Sequence, residues 1–365
     1  MITEFADAGA ETCLTHLACG LDRQRFQPHV YSLAKPPASQ RAKLVEKLSA
    51  ADVPVHFLGL SSNLQLPIAV RRMRDHFRED SIDLVHSFLF HANVVSELAR
   101  RWAHVKRHVA GVRVAQRNWW RTAVLKRITA HVDRISCVSE SVRQQLVSGG
   151  IAATDRTCVI PNGVDLPELA PESTRGAHSP NQPFILALAR FDRQKGIDLL
   201  LEAADGFLDK LPQYELWIAG DGPDRAKLAR QADRCKNHQR VRFLEWQQDP
   251  GPLLAQAALF VLPSRWEGMP NVLLQAMAFA RPVVCTDVEG VTEVLGAEGE
   301  PQIVLNEDVN AMSQRIVDLA TDADLRQRLG QLNRQRVVQH FSIETMVDRY
   351  AQLFEEVLAG NSPEF

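Results

Sequence analysis

The chain has 365 residues, 45% of them hydrophobic and 24% charged, with a formal net charge of −2. This composition is typical of a globular protein large enough for two domains, and its charge gives no reason to expect nucleic-acid binding. The six cysteines show no C-x-x-C spacing, so we expect neither a zinc site nor a disulfide framework, and a cytoplasmic setting is favoured. The start, MITEFADAGAE, lacks the basic start and apolar run of a signal peptide, and no segment approaches the roughly 18 apolar residues of a membrane span.

Short β-rich runs alternate with helical patterns along the whole chain. The runs are PHVYSLA, PVHFLGL, IDLVHSF and RISCVSE in the first half, then PFILALAR, YELWIAGDG, VRFLEW, LFVLPS and PVVCTD in the second. Such alternation predicts an α/β protein with parallel sheets and crossover helices.

The two halves are separated by IPNGVDLPELAPESTRGAHSPNQP, a stretch rich in proline, glycine, asparagine and serine. We place the domain boundary near Asp165, which gives domains 1–165 and 166–341, followed by a last helical segment, 342–365. Both domains are predicted to be doubly wound sheets. Ligands bind beyond the carboxyl ends of strands in such sheets, so two facing sheets predict a site in the cleft between the domains.

Two strand-to-helix turns in the second half carry candidate ligand-binding residues. The turn RFDRQKG holds Arg190 and Lys195, a pair of cations suited to a dianion such as a diphosphate, although a solvated basic turn has the same composition. The turn AGDGPDR holds Gly222, which permits close backbone approach to a ligand. No G-x-G-x-x-G is present, which removes the main support for hydride transfer.

The segment SRWEGMPNVLLQAMA places Glu267 just before a predicted helix that begins at Pro270. Glu267 and Gln275 would then be offset by about 8 Å along the helix. That offset fits one extended ligand touched at both ends, such as a nucleotide-sugar. An exposed carboxylate in a turn is the alternative interpretation of Glu267.

This segment resembles the E-x7-E motif of retaining GT-B glycosyltransferases of family GT4, the group 1 glycosyl transferases. The resemblance extends in order through VSESVRQQL, VIPNGVD, LARFDRQKG, IAGDGPDR, ARPVVCTDVEGVTEVL and FSIETMVDRYAQLFEEVL, so it covers essentially the whole chain. It implies two Rossmann-like domains facing across a cleft, with the last helix crossing back to the first domain. It also implies transfer of a hexosyl group from a nucleoside-diphosphate sugar with retention of configuration.

The resemblance also implies roles for individual residues. Arg190 and Lys195 would hold the donor diphosphate, and Glu267 would contact hydroxyls of the donor sugar. His91, in FLFHANVV, would line the cleft near the reacting sugar, although by itself it looks like a packed histidine. The remaining donor contacts are expected at Gly9, Gly222, Met269, Pro270, Asn271 and Gln275.

Three features depart from the family pattern. Gln275 replaces the second glutamate, which should weaken ribose binding by on the order of 1 kcal/mol, or about five- to tenfold. Ala8 replaces the first glycine of the GGAE loop, and alanine tolerates positive φ poorly, which weakens the expected contact near Gly9. The chain begins almost inside the first strand, so we expect a truncated strand or a native start further upstream.

The mechanism implied is departure of the diphosphate beside the incoming hydroxyl, with the rate supplied by positioning and charge stabilisation. No metal or other cofactor is expected. A literal D-x-D occurs at Asp322 and Asp324, but we interpret it as a helix N-terminus.

A tract from 98 to 132 contains nine Lys and Arg residues and no Asp or Glu, with Trp102, Trp119 and Trp120 among them. This composition suits an anionic membrane surface and therefore a lipid-linked acceptor for a peripheral enzyme. RNA, an acidic glycan or a solvated basic face remain alternatives.

A degenerate nucleotide-sugar-binding or scaffold protein is the alternative to an enzyme, and a sugar-nucleotide epimerase or a phosphorylase is a further one. UDP is favoured among donors only by its frequency in the family.

Overall fold

The computed structural model describes residues 1–5, 9–38, 42–60, 65–114, 118–169 and 182–360. The chain divides into two compact units, Met1–Gly163 with Ile343–Phe365, and Val164–Ser342. We call them the N-terminal and C-terminal units. Ala8, Arg117 and most of the segment that joins the two sequence halves lie outside the described residues.

The N-terminal unit alternates strands and helices, as the sequence predicts. Its strands are β1 (Val30–Ala34), β2 (Val55–Leu60), β3 (Leu84–Phe88), β4 (Arg107–Val112), β5 (Arg134–Cys137) and β6 (Thr157–Val159). Its helices are α1 (Gly9–Gly20), α2 (Lys43–Ala50), α3 (Leu66–Glu79), α4 (Phe90–Ala103), α5 (Trp119–Thr129), α6 (Glu140–Ser148) and the last helix of the chain, Ile343–Ala359.

The first residues of the chain join the two sheets of this unit. β1 pairs with β2, and β3, β4, β5 and β6 follow one another in a second parallel sheet. Ile2 donates its backbone N–H to Tyr31 at 2.9 Å, while Phe88 donates to Met1 at 2.8 Å. Residues 1–3 therefore lie between β1 and β3, and the strand order on either side of them is that of a doubly wound sheet.

Strand β4 was not predicted, because it lies inside the basic tract. Its sequence, RHVAGV, is buried from its second residue onward. Strands of a parallel sheet are covered on both faces, so they need no alternation of polar residues. Arg107 stands at the half-buried start of the strand and pairs with Asp133 at 2.9 Å.

A buried polar network ties β3 and β4 to α4. Ser87 Oγ lies 2.7 Å from His108 Nε2, and His108 Nδ1 lies 2.9 Å from the carboxylate of Glu97. Burial opposes ionisation of Glu97, but hydrogen bonds from His108 and Arg100 outweigh it and lower its pKa to about 2. Asn93 completes the network by donating to the Gly111 carbonyl at 3.1 Å. Because these groups are enclosed, the network fixes α4 and offers no surface for a substrate.

The C-terminal unit is a second doubly wound domain. Its strands are β7 (Phe184–Leu188), β8 (Glu215–Ala219), β9 (Val241–Leu244), β10 (Leu259–Leu262), β11 (Val283–Thr286) and β12 (Ile303–Val304). Its helices are α7 (Ile197–Leu208), α8 (Arg225–Ala232), α9 (Gly251–Gln256), α10 (Asn271–Ala278), α11 (Val291–Leu295), α12 (Val309–Thr321) and α13 (Ala323–His340), so the last helix of the chain is α14.

The strand order of this unit locates its binding crevice. The order is β12-β11-β10-β7-β8-β9, and the pairs are parallel. The chain order reverses between β7 and β10. Ligands of open α/β sheets bind outside the carboxyl ends of the strands at such a reversal. The residues that follow β7 and β10 are therefore the first place to look for a site.

Helix α14 packs in the N-terminal unit. Met346, Tyr350 and Phe354 of this helix are buried in one apolar cluster with Leu14 and Leu17 of α1. These positions recur at intervals of four residues, which puts them on one face of the helix.

Within the part of the chain that the structure describes, no helix is both long enough and apolar enough to cross a membrane. All six cysteines carry free thiols.

Candidate functional site

An ion pair occupies the strand-order reversal of the C-terminal unit. Lys195, in a short 3-10 turn after β7, places Nζ 2.6 Å from Oε1 of Glu267, which follows β10. Ser264 donates a second hydrogen bond to the same oxygen at 2.8 Å. Only 6% of the Glu267 side chain is exposed. Glu267 is therefore a buried, paired carboxylate, and the alternative of an exposed carboxylate in a turn is wrong.

The backbone brings the two loops into direct contact. Gly196 has φ +63°, and a Cβ there would lie 1.8 Å from the carbonyl oxygen of Pro263, so only glycine fits between the turn and the end of β10. Gln194 accepts from Arg265 N–H at 2.8 Å through its backbone and donates to the Trp266 carbonyl at 3.0 Å through its side chain. These contacts fix the separation of Lys195 and Glu267.

Arg265 anchors the Glu267 loop to α7. Its guanidinium donates to both carboxylate oxygens of Asp198 at 2.8 and 2.9 Å, and to Glu307 at 2.8 Å. Burial opposes ionisation of Asp198, but the hydrogen bonds and charge of Arg265 outweigh it and lower the Asp198 pKa. The sequence analysis missed Arg265 and Ser264. The sequence feature that could have identified them is their position within three residues of Glu267 in the same strand-to-helix turn.

Gly290 supports the same loop from the other side, and it too was missed. It has φ +77°, and a Cβ there would lie 2.2 Å from the carbonyl oxygen of Gly268. The signal for it is a glycine in the turn DVEGV, directly before the apolar residues of α11. Glycine at 290 therefore lets the α11 turn pack directly against the residue after Glu267.

Arg190 and Gly222 have contacts that do not involve the ion pair. Arg190 Nε lies 2.5 Å from Asp192, and 69% of its side chain is exposed. Asp192 also accepts from the backbone N–H of Lys195, so it links the Arg190 guanidinium to the backbone of the turn. A Cβ at Gly222 would lie 2.5 Å from the Phe191 carbonyl oxygen. Packing against Phe191 alone requires glycine there, whether or not a ligand approaches.

Helix α10 begins one residue later than predicted, at Asn271, with Pro270 in an extended conformation as its N-cap. Met269 and Pro270 are buried, and Leu274 and Met277 point into the core. Asn271 and Gln275 are half-buried, and their four-residue spacing puts them on one side of the helix. The polar side of α10 therefore starts within a few residues of Glu267.

In the N-terminal unit, Gly9 and His91 also lie where the strand order reverses, after residues 1–3 and after β3. Gly9 begins α1 soon after residues 1–3, and His91 lies in the first turn of α4 after β3. Leu89, between β3 and α4, has φ +73°, an uncommon conformation for a non-glycine residue and one that clusters at functional sites. Burial, followed by the charge of Arg121, lowers the pKa of His91, so its imidazole is neutral at pH 7.

The tract from 98 to 132 is not one continuous basic surface. Acidic residues just outside it neutralise part of its charge: Glu97 pairs with Arg100 and Arg101, and Asp133 pairs with Arg107. Arg113 is buried and donates to Asn162. What remains exposed is a smaller set around α4 and α5, comprising Trp102 at 55%, Trp119 at 82% and Trp120 at 41%, together with Lys106, Lys126 and Arg127.

The D-x-D sequence serves as a helix start, as predicted. Asp322 is the N-cap of α13, and its side chain accepts from the Leu325 backbone N–H at 2.8 Å.

Comparison with known proteins agrees with the fold and the motifs. The family model "Glycosyltransferase Family 4" matches residues 8–168, and "Glycosyl transferases group 1" matches residues 182–322. A lipopolysaccharide core biosynthesis glycosyltransferase, LpsE of Rhizobium meliloti (strain 1021), is 34% identical over 172 residues, which are 47% of this chain and 49% of LpsE. The match thus spans about half the length of that relative.

Two solved structures share the fold over nearly the whole chain. Anabaena Alr3699/HepE in complex with UDP-glucose has a TM-score of 0.83 at 19% identity, covering 97% of this chain and 98% of that one. Sucrose-phosphate synthase from Thermosynechococcus elongatus has a TM-score of 0.83 at 20% identity, covering 99% and 98%. The fold is thus GT-B, with two Rossmann-like domains. The chain belongs to the group 1 glycosyl transferases, family GT4.

Substituting Gly290 by alanine should disturb the Glu267 loop. The new Cβ would collide with the Gly268 carbonyl in addition to straining a positive φ, so we expect roughly 1–3 kcal/mol of destabilisation and loss of nucleotide binding. Gly59→Ala is the matched control, because Gly59 has φ +72° but no atom within 4 Å of the added Cβ. Calorimetric titration with UDP measures the nucleotide binding of the two variants. Equal binding by the two variants would contradict a supporting role for Gly290.

Proposed function

We propose that the protein is a retaining glycosyltransferase that moves a hexosyl group from a nucleoside-diphosphate sugar to a glycan or lipid-linked acceptor. The observation that carries this proposal is the Lys195–Glu267 ion pair at the strand-order reversal of the C-terminal unit. The relation to a lipopolysaccharide core glycosyltransferase and the likeness to a fold crystallised with UDP-glucose support a UDP-sugar and a role in cell-surface glycan synthesis.

In this proposal Lys195 binds the donor diphosphate without leaving Glu267. An ammonium group has three N–H donors, and Glu267 uses one of them. The others can point to phosphate oxygens. Arg190 is exposed and held by a single carboxylate, so its long side chain can turn toward the same phosphates. The two cations then stabilise the negative charge that develops on the leaving nucleotide.

The start of α10 supplies the neighbouring contacts. The first turn of a helix directs backbone N–H groups and a partial positive charge outward, which suits a diphosphate near Met269 to Asn271. The polar side of α10 then carries Gln275 toward the nucleoside, where its amide can bond ribose hydroxyls. Glu267, whose second carboxylate oxygen is not engaged by Lys195 or Ser264, would accept hydrogen bonds from sugar hydroxyls.

The chemistry needs no nucleophilic side chain. The bond from the anomeric carbon to the diphosphate oxygen breaks, and the acceptor hydroxyl forms the new bond on the same side of the sugar. Its proton passes to the departing phosphate oxygen. We propose that this transfer is metal-independent and that His91, neutral at pH 7, hydrogen-bonds on the sugar and acceptor side. Gly9 is proposed to approach the donor through its backbone.

The alternative is a protein that binds nucleotide-sugars without turnover. Gln275, a neutral residue at the expected ribose contact, and Ala8, the residue directly before Gly9 in the sequence, favour it. The ion pair and its supports count against it, since Ser264, Arg265 and Gly290 all serve to hold Glu267 in one place. An epimerase would convert donors with no acceptor present, and that activity would separate it from a transferase.

The donor proposal predicts selective nucleotide binding. In calorimetric titrations with UDP, GDP and ADP, and with NAD as a control, we expect one nucleoside diphosphate to bind, with UDP the first candidate. Gln275→Glu should tighten binding about tenfold, because a charged hydrogen bond replaces a neutral one. Lys195→Ala should weaken it by about tenfold or more, whereas Lys210→Ala, at an exposed lysine of the same unit, should change nothing.

Three results would count against the proposal: no binding of any nucleotide, equal binding of NAD, or no response to Lys195→Ala. Turnover with radiolabelled UDP-sugars and lipid-linked acceptors then separates an enzyme from a scaffold. Binding without turnover of any donor would favour the scaffold.

We also propose that the enzyme works at the cytoplasmic face of a membrane, as a peripheral protein. The exposed tryptophans of α4 and α5 and the neighbouring Lys126 and Arg127 support this, since indole prefers the lipid interface and cations are attracted to anionic lipids. An acceptor carried on a lipid would be reached from such a surface.

Membrane association predicts sedimentation with anionic vesicles that weakens as salt is added. Lys126→Gln should reduce binding about fivefold, at about 1 kcal/mol per cation, and Trp119→Ser should reduce it without changing the salt dependence. Leu305→Ser is the control, because Leu305 is 68% exposed but lies in the C-terminal unit. No sedimentation at low salt, or equal effects of all three substitutions, would contradict the proposal.

A further inference from the structure

A cluster of two histidines and an aspartate lies in the N-terminal unit and includes none of the residues assigned to the donor. His29 precedes β1, His56 lies in β2, and Asp80 follows α3. One ligand atom from each residue lies within 4.8 Å of the others. His29 Nδ1 and His56 Nε2 are each 3.8 Å from Oδ2 of Asp80, so both imidazoles point at the same carboxylate oxygen.

The two imidazole nitrogens that face Asp80 lack hydrogen-bond partners among the described residues. His29 Nδ1 and His56 Nε2 are both buried from solvent and have no hydrogen bond within the part of the chain that the structure describes. A separation of 3.8 Å is too long for a hydrogen bond to Asp80. Buried polar atoms almost always have a partner, so two unpaired nitrogens that converge on one carboxylate require an explanation. A cation among the three atoms would give both nitrogens a partner.

From this geometry we propose that His29, His56 and Asp80 bind a divalent transition metal ion, with Zn²⁺ the best fit. Zinc binds imidazole nitrogen and carboxylate oxygen at about 2.0–2.2 Å, which puts ligand atoms of a tetrahedral site about 3.4 Å apart. The observed 3.8 Å needs only a small side-chain movement to close. Two nitrogens and one oxygen disfavour Mg²⁺ and Ca²⁺, which prefer oxygen ligands.

The surroundings of the cluster hold these ligands in place. Tyr31 Oη donates a hydrogen bond of 2.6 Å to Oδ2 of Asp80, the oxygen that both imidazoles face, and fixes the orientation of the carboxylate. The Tyr31 ring also stacks on both His56 and His29, with ring centroids 5.2 and 6.4 Å away. Hydrogen bonds of this kind to metal ligands tune affinity. A fourth position remains for water or for His76, whose ring centroid lies 5.0 Å from that of His56.

The metal would be structural in effect. It would link the start of β1, the strand β2 and the end of α3, three segments far apart in sequence. A ligand that binds only the folded state stabilises it. The absence of C-x-x-C spacing led the sequence analysis to expect no zinc site, but histidines 27 residues apart, at 29 and 56, come together only through the pairing of β1 and β2. This site shares no residue with the proposed donor site and does not depend on the proposed function.

The test is metal binding by the full chain after treatment with EDTA. Calorimetry should show one Zn²⁺ per chain, and Co²⁺ should give the intense visible bands of a four-coordinate site. Asp80→Asn and His29→Gln should weaken binding by at least about a hundredfold, and Tyr31→Phe by about ten- to a hundredfold. His131→Gln, an exposed histidine of the same unit, and Cys19→Ser, a partly exposed thiol, should leave binding unchanged.

A measurement on the unaltered protein covers the case in which a variant fails to fold. X-ray absorption of the zinc-loaded chain should show nitrogen and oxygen neighbours only, and added Zn²⁺ should raise the unfolding midpoint. Sulfur neighbours, a stoichiometry other than one, or equal zinc affinity in Asp80→Asn and the controls would overturn the proposal.

Discussion

The ion pair between Lys195 and the buried carboxylate of Glu267 is the contact on which the donor-site account depends. A carboxylate that is 6% exposed cannot remain ionised at low cost without a partner, and Lys195 supplies the opposite charge at 2.6 Å. Removing either partner would leave an uncompensated charge where two loops meet. The glycines at 196 and 290 permit the close backbone packing that holds these loops together. The same constraint that stabilises the loops thus preorganises two charges for a polar ligand.

The location of this pair follows from topology. The strand order reverses between the neighbouring parallel strands β7 and β10. The helices that follow these two strands therefore leave in opposite directions, which opens a crevice at the carboxyl ends of the strands. The N-terminal unit has the same kind of reversal between residues 1–3 and β3. Gly9 follows the first of these segments and His91 follows the second. Each unit thus places its candidate residues at the same position of the same type of sheet. The fold determines where chemistry can occur, and the side chains at those positions determine which chemistry.

Much of this was accessible from the sequence, and the rest was hidden for physical reasons. Alternating strand and helix patterns predicted the α/β fold, and Lys195 and Glu267 were identified from turns in RFDRQKG and RWEGMP. Strand β4 was missed because a strand buried on both faces has no alternation, and its basic flanks resemble a surface. The neutralisation of part of the basic tract 98–132 was also hidden, because the partners of Arg100 and Arg107 are Glu97 and Asp133, which lie just outside that tract. The cluster of His29, His56 and Asp80 depends on strand register, which no local pattern records.

A crystal structure of the protein soaked with UDP and with a UDP-sugar would test the central claim most directly. The account predicts the diphosphate at the carboxyl ends of β7 and β10, with Lys195 Nζ within hydrogen-bonding distance of a phosphate oxygen and still bonded to Glu267, and with Gln275 near the ribose. A nucleotide bound elsewhere, or bound without contact to Lys195 and Glu267, would contradict it.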